Sequence, residues 1–257
     1  MADTGNHQVV VCDERGTPVY RFPHRISEGD GPKLGEPTSL VVDHVGRIFL
    51  VDGMVDYIDV LDHMGRRIQK IHPPEDGCEE PVRFKSLALG PDDEVYAALS
   101  CSDHTLVVID TTLNVRRLIR LDAPDEERAC ISGLAVDDSF NIYITDPCAT
   151  TMVQIYDANG NYNSGFGQHT AGFDNFSFPA GIVVMSNGNI WVLDTIRQVV
   201  SGFSNDGEFL TYFGGRGSHP GAFDFPSALA SDGTNLLFVL ERAGNRYQCF
   251  RLSESEP

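Results

Sequence analysis

The chain has 257 residues, with 37 acidic side chains against 19 lysines and arginines, and a net charge of −18. Such a charge is repelled by a phosphate backbone, which argues against nucleic acid as the partner. No apolar segment approaches the about 18–20 residues needed to span a bilayer, which argues against a membrane.

A chain of this length buries enough surface on folding to need no disulfide staple. Cys12, Cys78, Cys101, Cys130, Cys148 and Cys249 include no C-x-x-C pair, the pattern expected of a zinc knuckle or RING-type site. The N-terminus lacks a basic stretch followed by an apolar run. The resulting expectation is a cytoplasmic protein with reduced thiols.

In chain order, residues 2–23 read as the second half of a repeat. Gln8–Cys12 and Val19–Phe22 are strands, and His7-to-Asp13 matches Asp56-to-Asp62. A first-strand pattern then recurs as Thr38–Asp43, Lys85–Gly90, Ser132–Asp137, Ala180–Met185 and Pro226–Ser231. The equivalent residues Leu40, Leu87, Leu134, Ile182 and Ala228 are separated by 47, 47, 48 and 46 positions. An apolar second strand follows, starting at Ile48, Val95, Ile142, Ile190 and near Leu237.

The repeat is clearest between Phe178 and Gly214. Strands are expected at Ile182–Met185, Ile190–Asp194, Val199–Ser204 and Phe209–Phe213. Asn187-Gly188 and Asp206-Gly207 sit between them, dipeptides that supply the positive φ of hairpin corners. A four-stranded meander cannot bury both faces alone and must stack on copies of itself.

Small residues in the first strand (Ala88, Ala135, Gly181, Ala228) suit a crowded innermost strand. Phe49, Tyr96, Tyr143, Trp191 and Phe238 would pack between sheets. The fold expected is all-β, a β-propeller of five full repeats and a partial one. The repeats are 2–23 (partial), 37–71, 84–120, 131–166, 178–214 and 225–252, in one domain over 1–257. The last repeat has three strands. Either Val19–Phe22 supplies its fourth as a closing clasp, or the chain is a six-repeat domain whose first repeat lacks its leading strands; the second reading is favoured.

Ala2–Gly16, Phe178–Asp194 and Phe213–Pro226 resemble the NHL repeat, with Asn6-His7 standing at the family's Asn-His pair. The chain most resembles the NHL end of tripartite-motif ubiquitin ligases. That resemblance implies a propeller that selects protein substrates, or in some members RNA, while ligase chemistry lies in Cys/His segments that this sequence does not contain. Related propellers also include metal-dependent lyases and lactonases. The leading expectation is thus a non-catalytic module for a protein partner, without a cofactor. The alternative is a metal-dependent lyase or hydrolase.

Three sets of candidate residues follow. Asp3, Asp52, Asp146, Asp194 and Glu241 end successive second strands, with Leu99 breaking the set. Such carboxylates cap turns, or alternatively would hold Ca²⁺ or Zn²⁺. Arg216, His219, Phe223, Phe173 and Phe176 lie in connectors and would anchor a protein partner, whereas Phe178 and Phe225 are expected in the core. No two histidines share a repeat position on this reading, and Cys101–His104 reads as a hairpin turn. The basic groups Arg66, Arg67, Lys70 and Arg116, Arg117, Arg120 read as solvated outer edges.

Overall fold

The computed structural model describes residues 1–13, 16–22, 34–74, 82–100, 104–124 and 130–253. Most of the two acidic connectors and Cys78, Cys101, Ser102 and Asp103 lie outside the described residues. The chain divides into two compact units, Met1–Arg120 and Leu121–Pro257.

The first unit holds three sheets. The first sheet is β1 (Ala2–Asp3), β2 (Gln8–Cys12) and β3 (Pro18–Phe22). The second is β4 (Pro37–Val42), β5 (Ile48–Asp52), β6 (Ile58–Leu61) and β7 (Arg67–Ile71). The third is β8 (Phe84–Leu89), β9 (Val95–Leu99), β10 (Thr105–Ile109) and β11 (Val115–Arg120).

The second unit holds three more. The fourth sheet is β12 (Gly133–Val136), β13 (Ile142–Thr145), β14 (Val153–Tyr156) and β15 (Tyr162–Phe166). The fifth is β16 (Pro179–Val184), β17 (Ile190–Asp194), β18 (Val199–Phe203) and β19 (Phe209–Gly214). The sixth is β20 (Pro226–Ser231), β21 (Leu236–Glu241) and β22 (Arg246–Arg251). Every sheet is an antiparallel meander, and the fold is an all-β six-bladed propeller.

The middle strands explain why the sheets stack. All five residues of β5 and of β17 are buried. Successive strand residues point to opposite faces. Ile48 and Leu50 therefore join Val9 and Phe22 of the first sheet, while Phe49 and Val51 join Leu87, Val95 and Val107 of the third. In the second unit, Ile190 and Val192 face Tyr143 and Ile155, while Trp191 and Leu193 face Leu237 and Val239. A strand buried on both sides reads as a continuous apolar run. Outer strands such as β7 (Arg67–Ile71) keep polar residues in water and read as mixed.

First strands of neighbouring sheets approach closely. A Cβ on Gly133 would lie 3.1 Å from Gly181 Cα, and one on Gly181 would lie 3.3 Å from Leu229 Cβ. The Ser132 hydroxyl donates across this junction to Pro179 O at 2.6 Å. Thr4, which follows β1, donates to the equivalent carbonyl of the second sheet, Pro37 O, at 2.6 Å. At the hairpin corners Gly188 and Gly207 adopt φ of 85° and 81°, as their dipeptides required. Asp137 and Asp232 close other corners through backbone N–H groups. The N–H groups of Leu236 and Thr234 pull the Asp232 carboxyl down to about 2.

One alternative is excluded and one expectation is corrected. Val19–Phe22 does not complete the last sheet. Strand β3 pairs with β2, from Val9↔Phe22 to Cys12↔Pro18, since neighbours in sequence pair at little loop-closure cost. Reduced thiols are not found throughout either. Cys130 and Cys148 form a disulfide with Cα atoms 5.7 Å apart. They are 18 residues apart in sequence, and only the pairing of β12 with β13 brings them together. Cys12 and Cys249 are free.

Trp191 lies directly across from Gly202, and a Cβ on Gly202 would meet its ring at 2.8 Å. Gly202→Ala is therefore expected to lower stability by about 1–3 kcal/mol through overpacking. Urea unfolding measures this, and an unchanged midpoint would show that the indole relaxes without cost.

Candidate functional site

The feature repeated from sheet to sheet is a carboxylate at the end of the second strand. Asp52, Asp146, Asp194 and Glu241 are each at most 3% exposed. Asp52 accepts N–H bonds from Gly35 (2.5 Å), Glu36 (2.8 Å) and Met54 (2.9 Å). Asp194 accepts from Ser177 (2.5 Å), Phe178 (3.2 Å), Ile196 (3.0 Å) and Arg197 (2.9 Å). Asp146 accepts from Cys130 (2.9 Å) and Cys148 (2.8 Å). Glu241 accepts from Asp224 N–H at 2.8 Å. Half-buried Asp3 instead accepts from the Asn6 and Gln8 side chains.

One buried carboxylate thus joins the residues leading into strand one to the turn after strand two. Charge-assisted bonds from several N–H groups make the junction rigid. Flanking side chains emerge on one side of each junction. Among them Met54 is 62% exposed, Ile196 60%, Phe178 44% and Phe225 44%.

Arginines close the same junction from the other side. Arg197 donates to the carbonyls of Thr170 (2.6 Å), Gly172 and Asn175 (2.6 Å), and to Ser177 Oγ (3.2 Å). Arg246 donates to Ser218 O (2.7 Å) and Ala222 O (3.0 Å) while pairing with Glu241 at 2.7 Å. The connectors before the fifth and sixth sheets are therefore held open as shaped loops.

The structure redistributes the predicted connector anchors. Arg216 and His219 are exposed, and Phe173 is 62% exposed. Phe176 and Phe223 are buried, at 1% and 0%, while Phe178 and Phe225 are the exposed pair. Glycine decides the exchange. A Cβ on Gly167 would lie 2.3 Å from the Phe176 ring, and one on Gly214 would lie 2.4 Å from Phe223. Each glycine ends or follows a fourth strand and leaves a seat for the phenylalanine nine residues later. The repeated Phe-Gly spacing, at Phe166-Gly167 and Phe213-Gly214, carried this signal.

Phe173 caps the outer end of the fifth sheet, stacked on Tyr212 with centroids 4.9 Å apart and an interplanar angle of 16°. Beside it lies a cavity of about 310 Å³ lined by Ala171, Phe173, Arg197, Val199, Ser201 and Tyr212, among others. Its walls are mainly apolar, with two hydroxyls and one guanidinium. A second cavity, in the first unit, is acidic and is lined by Asp92, Glu94, Asp110, Thr111 and Arg116. Arg116 pairs with Glu94 there. Arg66 and Arg67 likewise pair with Asp62 and Asp59.

The histidine positions also need correction. His7 and His104 share a repeat position, immediately before β2 and β10, and both adopt positive φ (55° and 43°). Gln198 and Asn245 occupy it in the fifth and sixth sheets with φ of 60° and 47°. His7 Nδ1 contacts Gly35 O, and His104 is buried. Among the described residues, Cys130, Asp146 and Cys148 are the group of three potential ligand side chains whose ligand atoms lie within 4.8 Å of one another.

Burial pushes the Glu241 carboxyl upward, but Arg246, the Asp224 N–H and Gln248 outweigh this and hold it below its usual 4.5. A depressed carboxyl pKa stabilises the fold above the unfolded-state value, and this stabilisation is lost as pH falls through the lower folded value. Glu241→Gln is expected to cost about 1–3 kcal/mol at neutral pH. The gap to the parent should close in acid. Urea unfolding across that range measures it, and a pH-independent gap would contradict the assignment.

Comparison with known proteins agrees with this architecture. Residues 176–200 match the NHL repeat. No curated protein sequence matches the chain. Among solved structures, a protein of unknown function from Bacteroides caccae is similar, with a TM-score of 0.66 and 14% identity over 92% of this chain and 79% of that one. A streptogramin B lyase gives a TM-score of 0.57 and 13% identity over 85% and 70%. A catalytically inactive virginiamycin B lyase from Staphylococcus aureus, with quinupristin, gives 0.57 and 15% over 86% and 71%. At these identities the likeness is one of fold.

Proposed function

We propose that the chain is a non-catalytic recognition module that binds a protein partner through the connector side of the Leu121–Pro257 unit. The observation that carries this reading is a set of exposed apolar side chains on rigid supports. Phe173, Phe178, Ile196 and Phe225 are 44–62% exposed, yet Phe178 and Ile196 donate their N–H groups to Asp194, Phe225 O accepts from Arg242 N–H, and Arg197 holds the Gly172 and Asn175 carbonyls around Phe173. Anchors already held in place lose little entropy on binding. Arg216 and His219 supply the polar rim. The net charge of −18 favours a partner with basic residues around an apolar centre.

The resemblance to tripartite-motif proteins gives the reading its finer form, in which the partner is a substrate presented to a ubiquitin ligase. Support is limited to the NHL-repeat match at residues 176–200 and the propeller fold. Proximity labelling followed by purified-component binding tests it. Phe178→Glu with Phe225→Glu should weaken the identified partner about 30-fold or more, with unchanged circular dichroism, and Arg216→Glu with His219→Glu should weaken it less. A partner indifferent to both pairs would sink this assignment of the surface.

The second reading is a metal-dependent lyase or hydrolase, motivated by the fold shared with streptogramin B lyase. Its ligands would be drawn from Asp3, Asp52, Asp146, Asp194 and Glu241. The last four already hold backbone N–H groups, so each would have to serve two tasks. Metal content by mass spectrometry on protein purified without chelator separates the readings. About one Ca²⁺ per chain would favour the enzyme, whereas metal-free protein that binds its partner would favour the module.

A further inference from the structure

The fourth sheet differs from the fifth and sixth at its junction. Where those use Arg197 and Arg246 to tie connector to turn, the fourth uses the Cys130–Cys148 disulfide. Its two cysteines are also the residues whose N–H groups Asp146 binds. The ligand atoms of all three side chains lie within 4.8 Å of one another. Asp146 is fully buried, whereas Cys148 is exposed.

We propose that the reduced form of this junction is a thiolate metal site for Zn²⁺. Cys130, Cys148 and Asp146 are its three protein ligands, and the fourth position faces solvent. The proposal is independent of the recognition reading. The ligands stay in place without the disulfide because other bonds hold both segments. Asp146 caps both cysteine N–H groups, and Ser132 N–H donates to Thr145 O at 2.9 Å. β12 pairs with β13 from Gly133↔Thr145 onward.

Geometry permits the exchange. Tetrahedral zinc at about 2.3 Å per sulfur bond sets two sulfurs roughly 3.8 Å apart. Cysteines with Cα atoms 5.7 Å apart reach that spacing by side-chain rotation. A carboxylate can accept N–H bonds and ligate a cation at the same time.

The chemistry balances. A dithiol reductant gives up two electrons and two protons, becomes a disulfide and leaves two protein thiols. Zinc then replaces both thiol protons, which leave to solvent. Two thiolates and a carboxylate crowded together would repel one another, and a divalent thiophilic cation reduces their summed charge from −3 to −1. Oxidation removes both sulfur ligands at once, so binding is redox-gated.

The test uses the full chain carrying Cys12→Ser and Cys249→Ser, reduced with a phosphine under argon and titrated with Co²⁺. The expected result is one Co²⁺ per chain, with a thiolate-to-cobalt absorption band that Zn²⁺ abolishes. The band should be absent from oxidised protein and lost in Cys148→Ser. Asp146→Asn should keep the band but weaken binding about 10-fold or more. Should Cys148→Ser not fold, alkylation decides: Zn²⁺ should slow iodoacetamide labelling of Cys130 and Cys148 in the reduced parent. The proposal is overturned if the reduced parent shows no band, if Cys148→Ser folds and keeps it, or if zinc leaves the labelling unchanged.

Discussion

The structure depends on one repeated interaction, a buried carboxylate that gathers backbone N–H groups from two places in the chain. Asp194 does this with four N–H groups, at Ser177, Phe178, Ile196 and Arg197. Without it, the connector into strand one and the turn after strand two would each bury unpaired donors, at a cost of about 1–3 kcal/mol per group. With it, the first strands of the second, fourth, fifth and sixth sheets are fixed. The next sheet can then pack against a surface that is already in place.

Stacking is the second constraint, and it follows from burial on both faces. β5 and β17 are buried at every residue, so neither sheet could stand alone in water. Small residues at the first strands permit the approach, as the Gly133–Gly181 and Gly181–Leu229 contacts show. Large residues one strand out fill the widening gap, with Phe49, Tyr143 and Trp191 each reaching toward the following sheet. The taper of side-chain size along the repeat thus matches the local spacing of the sheets.

Rigid junctions also give the second unit its surface. Phe178 and Ile196 stay in water because their backbones are held by Asp194, and their side chains have no sheet to enter. Phe173 is held outward by a loop whose carbonyls are taken by Arg197. On the proposed reading, stability and recognition share a cause. At the fourth sheet the same junction carries sulfur chemistry instead of a guanidinium, which makes it the place where redox state can alter the surface.

The sequence by itself determined the repeat, the sheet class and much of the strand register. Predicted second strands at Ile48, Val95, Ile142 and Ile190 are the observed starts of β5, β9, β13 and β17, because period-two burial and turn residues are local properties. It also marked Asp52, Asp146, Asp194 and Glu241 as a set. Tertiary structure decided the rest. Phe176 and Phe223 were exchanged with Phe178 and Phe225 because a glycine nine residues earlier opens a seat, and that contact forms only when the connector folds back on the end of the fourth strand. His7 and His104 came into register only once the starts of β2 and β10 and their positive φ were in hand. The Cys130–Cys148 bond and the hairpin of β2 with β3 likewise depend on which segments meet. A single sequence encodes such pairings only through the fold that brings them together.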